Sequence, residues 1–213
     1  MTPHFAPGPI TLENEHARLA PLALDHLAAL FSAGRDEDLW RFATGARWKR
    51  EQDARAWIEQ ALGEQAAGRQ TPFAIFDRAA GRVVGSTRYL DIQPQHRGLE
   101  IGHTWLAPAA QRTAVNTSCK LLLMAHGFET LGALRVCFKT DLRNERSQRA
   151  LARIGATREG VLRRHMILWD GHVRDSVYFS VIRAEWPRVK AGLQARLARH
   201  TSRPAPSGPP PRG

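Results

Sequence analysis

Between Glu100 and Thr117 the chain reads EIGHTWLAPAAQRTAVNT, and two kinds of chemistry stand side by side in it. At the far end, a polar turn over Gln111, Arg112, Thr113, Ala114, Val115, Asn116 and Thr117 runs into a helix predicted from Asn116. A helix start leaves about four amide donors without internal partners and carries roughly half a positive charge, so it can seat phosphate. Arg112 and Lys120 add cationic side chains beside it. At the near end, Glu100 stands on a strand predicted over 99–106, where regular alternation gives Glu100, Gly102 and Thr104 one face and the glycine leaves room for a ligand. A carboxylate beside apolar walls has its pKa raised toward neutrality, which suits a general base. The same glutamate could instead pair with a cation such as Arg88 or Arg97. His103 is a rival because imidazole titrates near neutral pH, but alternation sets it on the other face with Ile101 and Trp105 unless a β-bulge intervenes. His165 is a third titratable candidate.

The elements that must position these groups are legible from period and punctuation. Ile10 to Leu22 reads as two short extended pieces, and Leu24, Leu27, Leu30 and Phe31 form a helical stripe that Gly34 ends. A helical turn near Leu39–Trp40, a loop at Thr44–Gly45 and a longer helix from about Glu51 to Ala67 follow. Two strands then flank a turn at Arg78–Gly81, with Phe73, Ile75, Val83 and Val84 as β-favouring bulk. After Ala107–Pro108 and the central helix come a buried strand over 134–138 and a helix capped by Asn144 and stopped at Gly155. Asp170–Gly171 then marks a hairpin, and a last helix runs through RAEWPRVKAGLQARLARH. Residues 1–200 form one domain, and the Pro/Gly-rich segment 201–213 has too little apolar surface to pack.

The totals narrow the class. The chain has 213 residues, 43% hydrophobic and 24% charged, enough for one substantial core. It shows no apolar run of membrane-spanning length and no secretion signal, so a cytoplasmic protein without a membrane partner is expected. Cys119 and Cys137 read as small buried side chains, and nine histidines without HxH or HExxH spacing predict no metal site. The net charge of +11 is spread along the chain and thickens toward the C-terminus, without a helix-turn-helix, zinc or RNP-like signature. Nucleic acid is therefore not an expected partner, whereas a positive field raises the encounter rate of a polyanionic cofactor.

Four features together resemble the GNAT family of acetyl-coenzyme A-dependent N-acetyltransferases, most of all its RimJ/RimL-like branch. They are Glu100-Ile101-Gly102 on the fourth strand, the loop from Gln111 to Asn116, Asn144-Glu145-Arg146-Ser147 opening the next helix, and the closing hairpin at Asp170–Gly171. The loop departs from the family pattern, with Ala114 and Asn116 at two small-residue positions; alanine permits close approach, and asparagine enters the left-handed region readily. The resemblance implies an α/β fold: a mixed, splayed seven-stranded sheet with helices on both faces. It implies transfer of acetyl from acetyl-CoA to a primary amine, either a protein N-terminal α-amine or a small-molecule amine, with no metal. It implies that strand backbone at Trp105 and Leu106 pairs with the pantetheine arm, that Gln111 to Thr117 hold the pyrophosphate, and that Asn144 contacts pantetheine while Ser147 bonds the departing thiolate. Glu100 stands eleven residues before Gln111, the spacing of the strand glutamate base in the histone-acetylating branch. The base of RimL-type relatives would fall on Met166, which cannot take a proton, leaving the adjacent His165 as its possible replacement. Trp40, Phe42 and Trp48 fall in the region that roofs the acceptor cleft in the family, and they either line that cleft or pin helices to the sheet. Relatives often pair as homodimers. A different class stays open: a CoA-binding or regulatory module of the same fold without efficient catalysis, docked on nucleic acid through its basic face.

Overall fold

The protein is described here by a computed structural model covering residues 5–45 and 47–201. The tail expected over 201–213 lies, past Thr201, outside the described residues. Eight strands form one sheet: β1 (Leu12–Glu13), β2 (Ala17–Pro21), β3 (Thr71–Asp77), β4 (Arg82–Gln93), β5 (Gly98–Leu106), β6 (Arg135–Asp141), β7 (Thr157–Ile167) and β8 (Val173–Ile182). Their order is β1-β2-β3-β4-β5-β6-β8-β7, antiparallel except where β5 meets β6. The family resemblance implied seven strands; the sheet has eight, counting the two-residue β1 held to β2 through Leu12 and Glu13.

Five helices cover the sheet: α1 (Leu27–Ala33), α2 (Glu51–Ala66), α3 (Ala114–Ala125), α4 (Glu145–Arg153) and α5 (Trp186–Thr201). Apolar alternation on the strands decides which face each takes. Leu19, Phe73, Ile75, Leu99, Ile101, Val136, Phe138, Val177 and Phe179 point to one side and pack with Val115, Leu123, Leu151 and Leu193 of α3, α4 and α5. On the other side Leu27, Leu30, Ala54 and Ile58 of α1 and α2 cover Ala74 and Val83, with Trp40 and Trp48 between them. Helix ends follow their local chemistry: Asn144 accepts from the Ser147 amide at 3.0 Å, and Gly155 closes α4 at a φ of +90° that side chains rarely adopt.

Two departures from regular β-structure on β5 shape the site. β5 and β6 stay paired only at Gly98/Arg135, Leu99/Val136 and Glu100/Cys137, and beyond Glu100 the two strands part. On β5, Ser86 pairs with Trp105 but Arg88 with Gly102, so β5 holds one extra residue there, and His103 sits at a φ of +47°. That is a β-bulge, and it turns over the alternation of everything after it.

Candidate active site

Glu100 stands where the fork between β5 and β6 begins. Its carboxylate is 3% exposed and pairs with Lys139 of β6 at 3.0 Å, rather than with the Arg88 or Arg97 that sequence proximity suggests. Burial raises the pKa of Glu100 against the opposing pull of Lys139. A buried carboxylate so perturbed is held ready to take a proton. Gly102 makes this seat possible: a Cβ there would lie 2.7 Å from Glu100 Oε1 and 2.9 Å from Leu90 Cδ2, so the room expected for a ligand over Gly102 is partly filled by Glu100 itself.

The bulge corrects the facial assignment made from regular alternation. Thr104 does not share a face with Glu100; its hydroxyl lies 2.8 Å from that of Thr87 and accepts from Lys120 of α3 at 3.0 Å. Trp105 moves to the Glu100 side, where its ring stands 5.7 Å from that of Trp40 and 5.4 Å from that of Trp48. His103, at the bulge itself, is exposed, yet desolvation by the surrounding protein, with Arg88, Lys139 and Arg174 adding positive charge, draws its pKa down to about 4. Near neutral pH it is an uncharged imidazole with little appetite for a proton.

Beyond the fork, the Glu100 side of the sheet carries polar groups instead of a helix-facing core. Strand register aligns Lys139 with Tyr178 and Asp141 with Ser176. A wide irregularity in β7 between Leu162 and Met166, with Arg164 at a φ of +50°, turns His165 toward them. Its Nδ1 lies 3.0 Å from Ser176 Oγ, and its ring meets Tyr178 edge-on at 5.8 Å. An open groove of about 790 Å³ runs along this bulge from Val161 to His165.

The loop from Gln111 to Thr117 is built differently from its sequence reading. α3 begins at Ala114, not Asn116, so Asn116 lies in the first helical turn and needs no left-handed conformation. The left-handed residue is Arg112, at a φ of +61°. Thr113 caps the helix, its hydroxyl accepting from the Val115 amide at 3.2 Å, while the Gln111 amide donates to the Pro108 carbonyl at 3.1 Å. Gln111 is further fixed by its Nε2 on the Leu106 carbonyl at 2.9 Å and by Arg146 on its Oε1 at 3.0 Å. Among the described residues, the amides of Arg112, Thr113, Ala114 and Asn116 donate to no protein group. Four free donors at a helix start, with small Ala114 among them, form an anion seat.

Lys120 is not beside that loop as its position in sequence suggests. It is 6% exposed, reaching into the fork from α3 with its ammonium on Thr104 and 5.4 Å from the centre of the Phe138 ring. Burial draws its pKa down to about 8. The remaining expected site residues distribute themselves around this centre. Asn144 and Ser147 open α4, their hydrogen bond to one another being the cap. Trp40 and Trp48 are 3% and 7% exposed and pack tilted and edge-on against Trp105 within the α1/α2 layer, which fits the reading in which they pin helices to the sheet. Phe42 is partly exposed between Arg41 and Arg143, whose guanidinium groups lie 5.3 and 5.6 Å from its ring.

Lys139, Tyr178 and the buried role of Lys120 escaped the sequence reading. Period-two alternation of RVCFKTD, with Val136 and Phe138 inward, was the available signal for Lys139. Nothing local could pair Tyr178 with it, because their contact is set by the register of β6 on β8. Among the described residues there is no cluster of three or more metal-ligating side chains, and no helix is long and apolar enough to cross a membrane.

Comparison with known proteins gives one coherent result. Residues 16–157 match the model of the acetyltransferase (GNAT) domain. A crystal structure of a GCN5-related N-acetyltransferase from Brucella melitensis superposes with a TM-score of 0.86 at 30% identity, covering 92% of this chain and 89% of that one. A chain from T. thermophilus assigned as an acetyltransferase is 44% identical, with a TM-score of 0.82 and coverage of 90% and 98%. Mycobacterium smegmatis RimJ, solved in complex with CoA-disulfide, shares the fold at a TM-score of 0.74 and 23% identity, covering 92% of this chain and 97% of its own.

Proposed function

The chain belongs to the GNAT acetyltransferase family, and from this we propose that it transfers acetyl from acetyl-CoA to a primary amine by direct attack of the amine on the thioester. The observation that carries the reading is a juxtaposition: the donor-rich start of α3 lies just beyond the end of β5, and β5 parts from β6 at a buried, proton-hungry Glu100.

In this reading the free amides of Arg112, Thr113, Ala114 and Asn116 hold the diphosphate of acetyl-CoA, with Gln111, Val115 and Thr117 shaping the turn around it. The pantetheine arm enters the fork and pairs with β5 backbone at Trp105 and Leu106, as an added strand would. Asn144 and Ser147 border it from α4. RimJ and a microcin self-immunity acetyltransferase, MccE, have been seen with CoA-disulfide and with acetyl-CoA and AMP respectively, which supports the cosubstrate.

The amine approaches from the Glu100 side of the sheet. Glu100 takes its proton, directly or through water, as the nitrogen attacks the carbonyl carbon. The tetrahedral intermediate then collapses, the C–S bond breaks, and the thiolate leaves into the fork. Lys120 supplies positive charge there, and Ser147 a hydroxyl. Holding amine and thioester together supplies much of the rate. His165 and Tyr178 lie on the acceptor side, where they contact the acceptor and not the coenzyme. The acceptor is a protein α-amine or a small-molecule amine.

Calorimetric titration of the folded protein with acetyl-CoA and with CoA, followed by acetylation of a broad amine panel, tests this. Binding of acetyl-CoA with acetylated product is the expected result. Folded protein that binds neither ends the reading, and binding without product on any amine would leave a CoA-binding module.

A further inference from the structure

Arg88, on β4 opposite Gly102, has no task in the reaction as just described, and its surroundings are unusual for a residue of mere structure. It is 2% exposed. Its guanidinium plane lies 4.3 Å from the centre of the Trp57 ring, and its Nη1 donates to Gln70 Oε1 at 2.8 Å. Among the described residues, Nε and Nη2 have no hydrogen-bond partner. Glu64, the carboxylate whose charge Arg88 feels, is already engaged by two bonds from Arg69 at 2.7 and 2.8 Å. The indole Nε1 of Trp105 is likewise buried and without a partner, and its ring stands 6.4 Å from the same Trp57 ring.

A buried donor left unmade is costly, more so when it is charged, and native proteins keep few of them. Stability alone does not call for such a group, since buried ionic side chains can commonly be replaced by apolar ones of similar volume without loss of stability. The pattern of what is bonded and what is free is informative. With Nη1 tied to Gln70 and the plane clamped on Trp57, the free edge is the Nε–Nη2 pair. Those two N–H bonds run parallel and match the two oxygens of a carboxylate.

The position of Arg88 in the sheet points the same way. Arg88 is paired in register with Gly102, so it rises from the same side of the sheet as Glu100, which pairs one step further on with Leu90. As diagonal neighbours on adjacent strands, the two stand roughly 7–8 Å apart. Half-buried Trp57 covers the guanidinium, and half-buried Trp105 stands against Trp57. Their rings can swing aside on the timescale of ordinary side-chain motion.

We propose that the Nε–Nη2 edge of Arg88 binds a carboxylate carried by the amine acceptor, so that the acceptor is an amino-acid-like molecule whose amine is presented to Glu100. This rests on the acetyl-transfer reading above. Arg88 is a specificity residue that touches substrate away from the reacting atoms. It governs the acceptor's KM and leaves kcat largely untouched.

The test uses matched acceptors: alanine and β-alanine, their carboxamides, and the corresponding aminophosphonates, each with acetyl-CoA. Wild-type protein is expected to favour the carboxylates over the carboxamides by roughly ten- to hundredfold in kcat/KM. Arg88→Met should abolish that preference through KM, with unchanged acetyl-CoA affinity by calorimetry and a melting temperature no lower than wild type, and Arg88→Lys should restore part of it. Equal use of carboxylate and carboxamide by wild type, a preference for phosphonate, or a preference that survives in Arg88→Met would each overturn the proposal. Should Arg88→Met not fold, the wild-type melting temperature with saturating carboxylate or carboxamide, measured without acetyl-CoA, decides it: a rise with carboxylate alone supports the site, and no difference refutes it. That measurement stands even if the protein transfers no acetyl group, so the two readings fail separately.

Discussion

Glu100→Gln keeps the shape of the side chain and removes the group that can take a proton. In wild type the carboxylate is buried, and desolvation outweighs the ion pair with Lys139, so its pKa is raised. A positioned general base contributes roughly 10²–10⁴-fold, or about 3–5 kcal/mol of barrier. The substitution should therefore lower kcat by that factor and leave the acetyl-CoA dissociation constant within about twofold, since the loop amides are untouched. Stability gives an independent reading with a defined sign. A raised carboxyl pKa contributes stability that is fully present below the unfolded value near 4.5 and is lost as pH rises through the folded value. Wild type should thus lose stability relative to Glu100→Gln as pH climbs above 4.5, while Lys139, 19% exposed, turns to water in the variant. The assay is CoA release followed with a thiol reagent across pH, using two acceptors of different amine pKa. The limb belonging to the acceptor moves with its pKa, whereas the limb belonging to Glu100 stays put and vanishes in the variant. An unchanged kcat with both limbs intact would remove Glu100 from the role of base.

Three further substitutions probe the parts around it. Lys120→Met takes an ammonium with a pKa near 8 out of the fork and should raise stability at pH 7 by about 3 kcal/mol. Because a lowered lysine pKa favours the folded state only as pH rises from about 8 toward 10.5, the difference in melting temperature should shrink across that window, and a flat profile would show that Lys120 is not buried as a cation. Arg112→Gly relieves the left-handed backbone at φ +61° and should stabilise by about 1 kcal/mol while weakening acetyl-CoA binding several-fold in calorimetry, because a cation beside the diphosphate is lost. Gly102→Ala places a methyl 2.7 Å from Glu100 Oε1 and should reduce kcat tenfold or more through displacement of the carboxylate, with acetyl-CoA affinity retained; unaltered kcat would show that the carboxylate's seat is not critical.

Much of this architecture was readable from the chain because its signals are local. The stripe of Leu27 and Leu30, the Asn144 cap, the Gly155 stop and the Asp170–Gly171 turn each depend on a few neighbouring residues, and each element stands within a residue or two of its expected place. Glu100 as a buried carboxylate and the loop after Pro108 as a donor-rich turn were also within reach of sequence. What was not readable depends on register. The extra residue at His103 has no signature in EIGHTWL, because the bulge arises from the pairing of β5 with β4, and it alone decides that Trp105 and not Thr104 faces the Glu100 side. The Lys139–Glu100 pair, the Tyr178–His165 contact and the seat of Arg88 on Trp57 all depend on how separate elements come together, not on neighbours in sequence. Asn116 needs none of the left-handed tolerance it offers for a related reason: Thr113 caps the helix earlier than its apolar pattern suggested, shifting the sharp turn to Arg112.

Acetyl transfer by this route requires the loop amides to meet a diphosphate while the thioester enters the fork. Amide-resolved NMR titration with CoA tests that directly. The resonances of Arg112, Thr113, Ala114 and Asn116 should shift and saturate together with those of Ile101 to Leu106 on β5, at one common dissociation constant. Saturable CoA binding that leaves residues 112–116 unshifted, or moves them without β5, would contradict it.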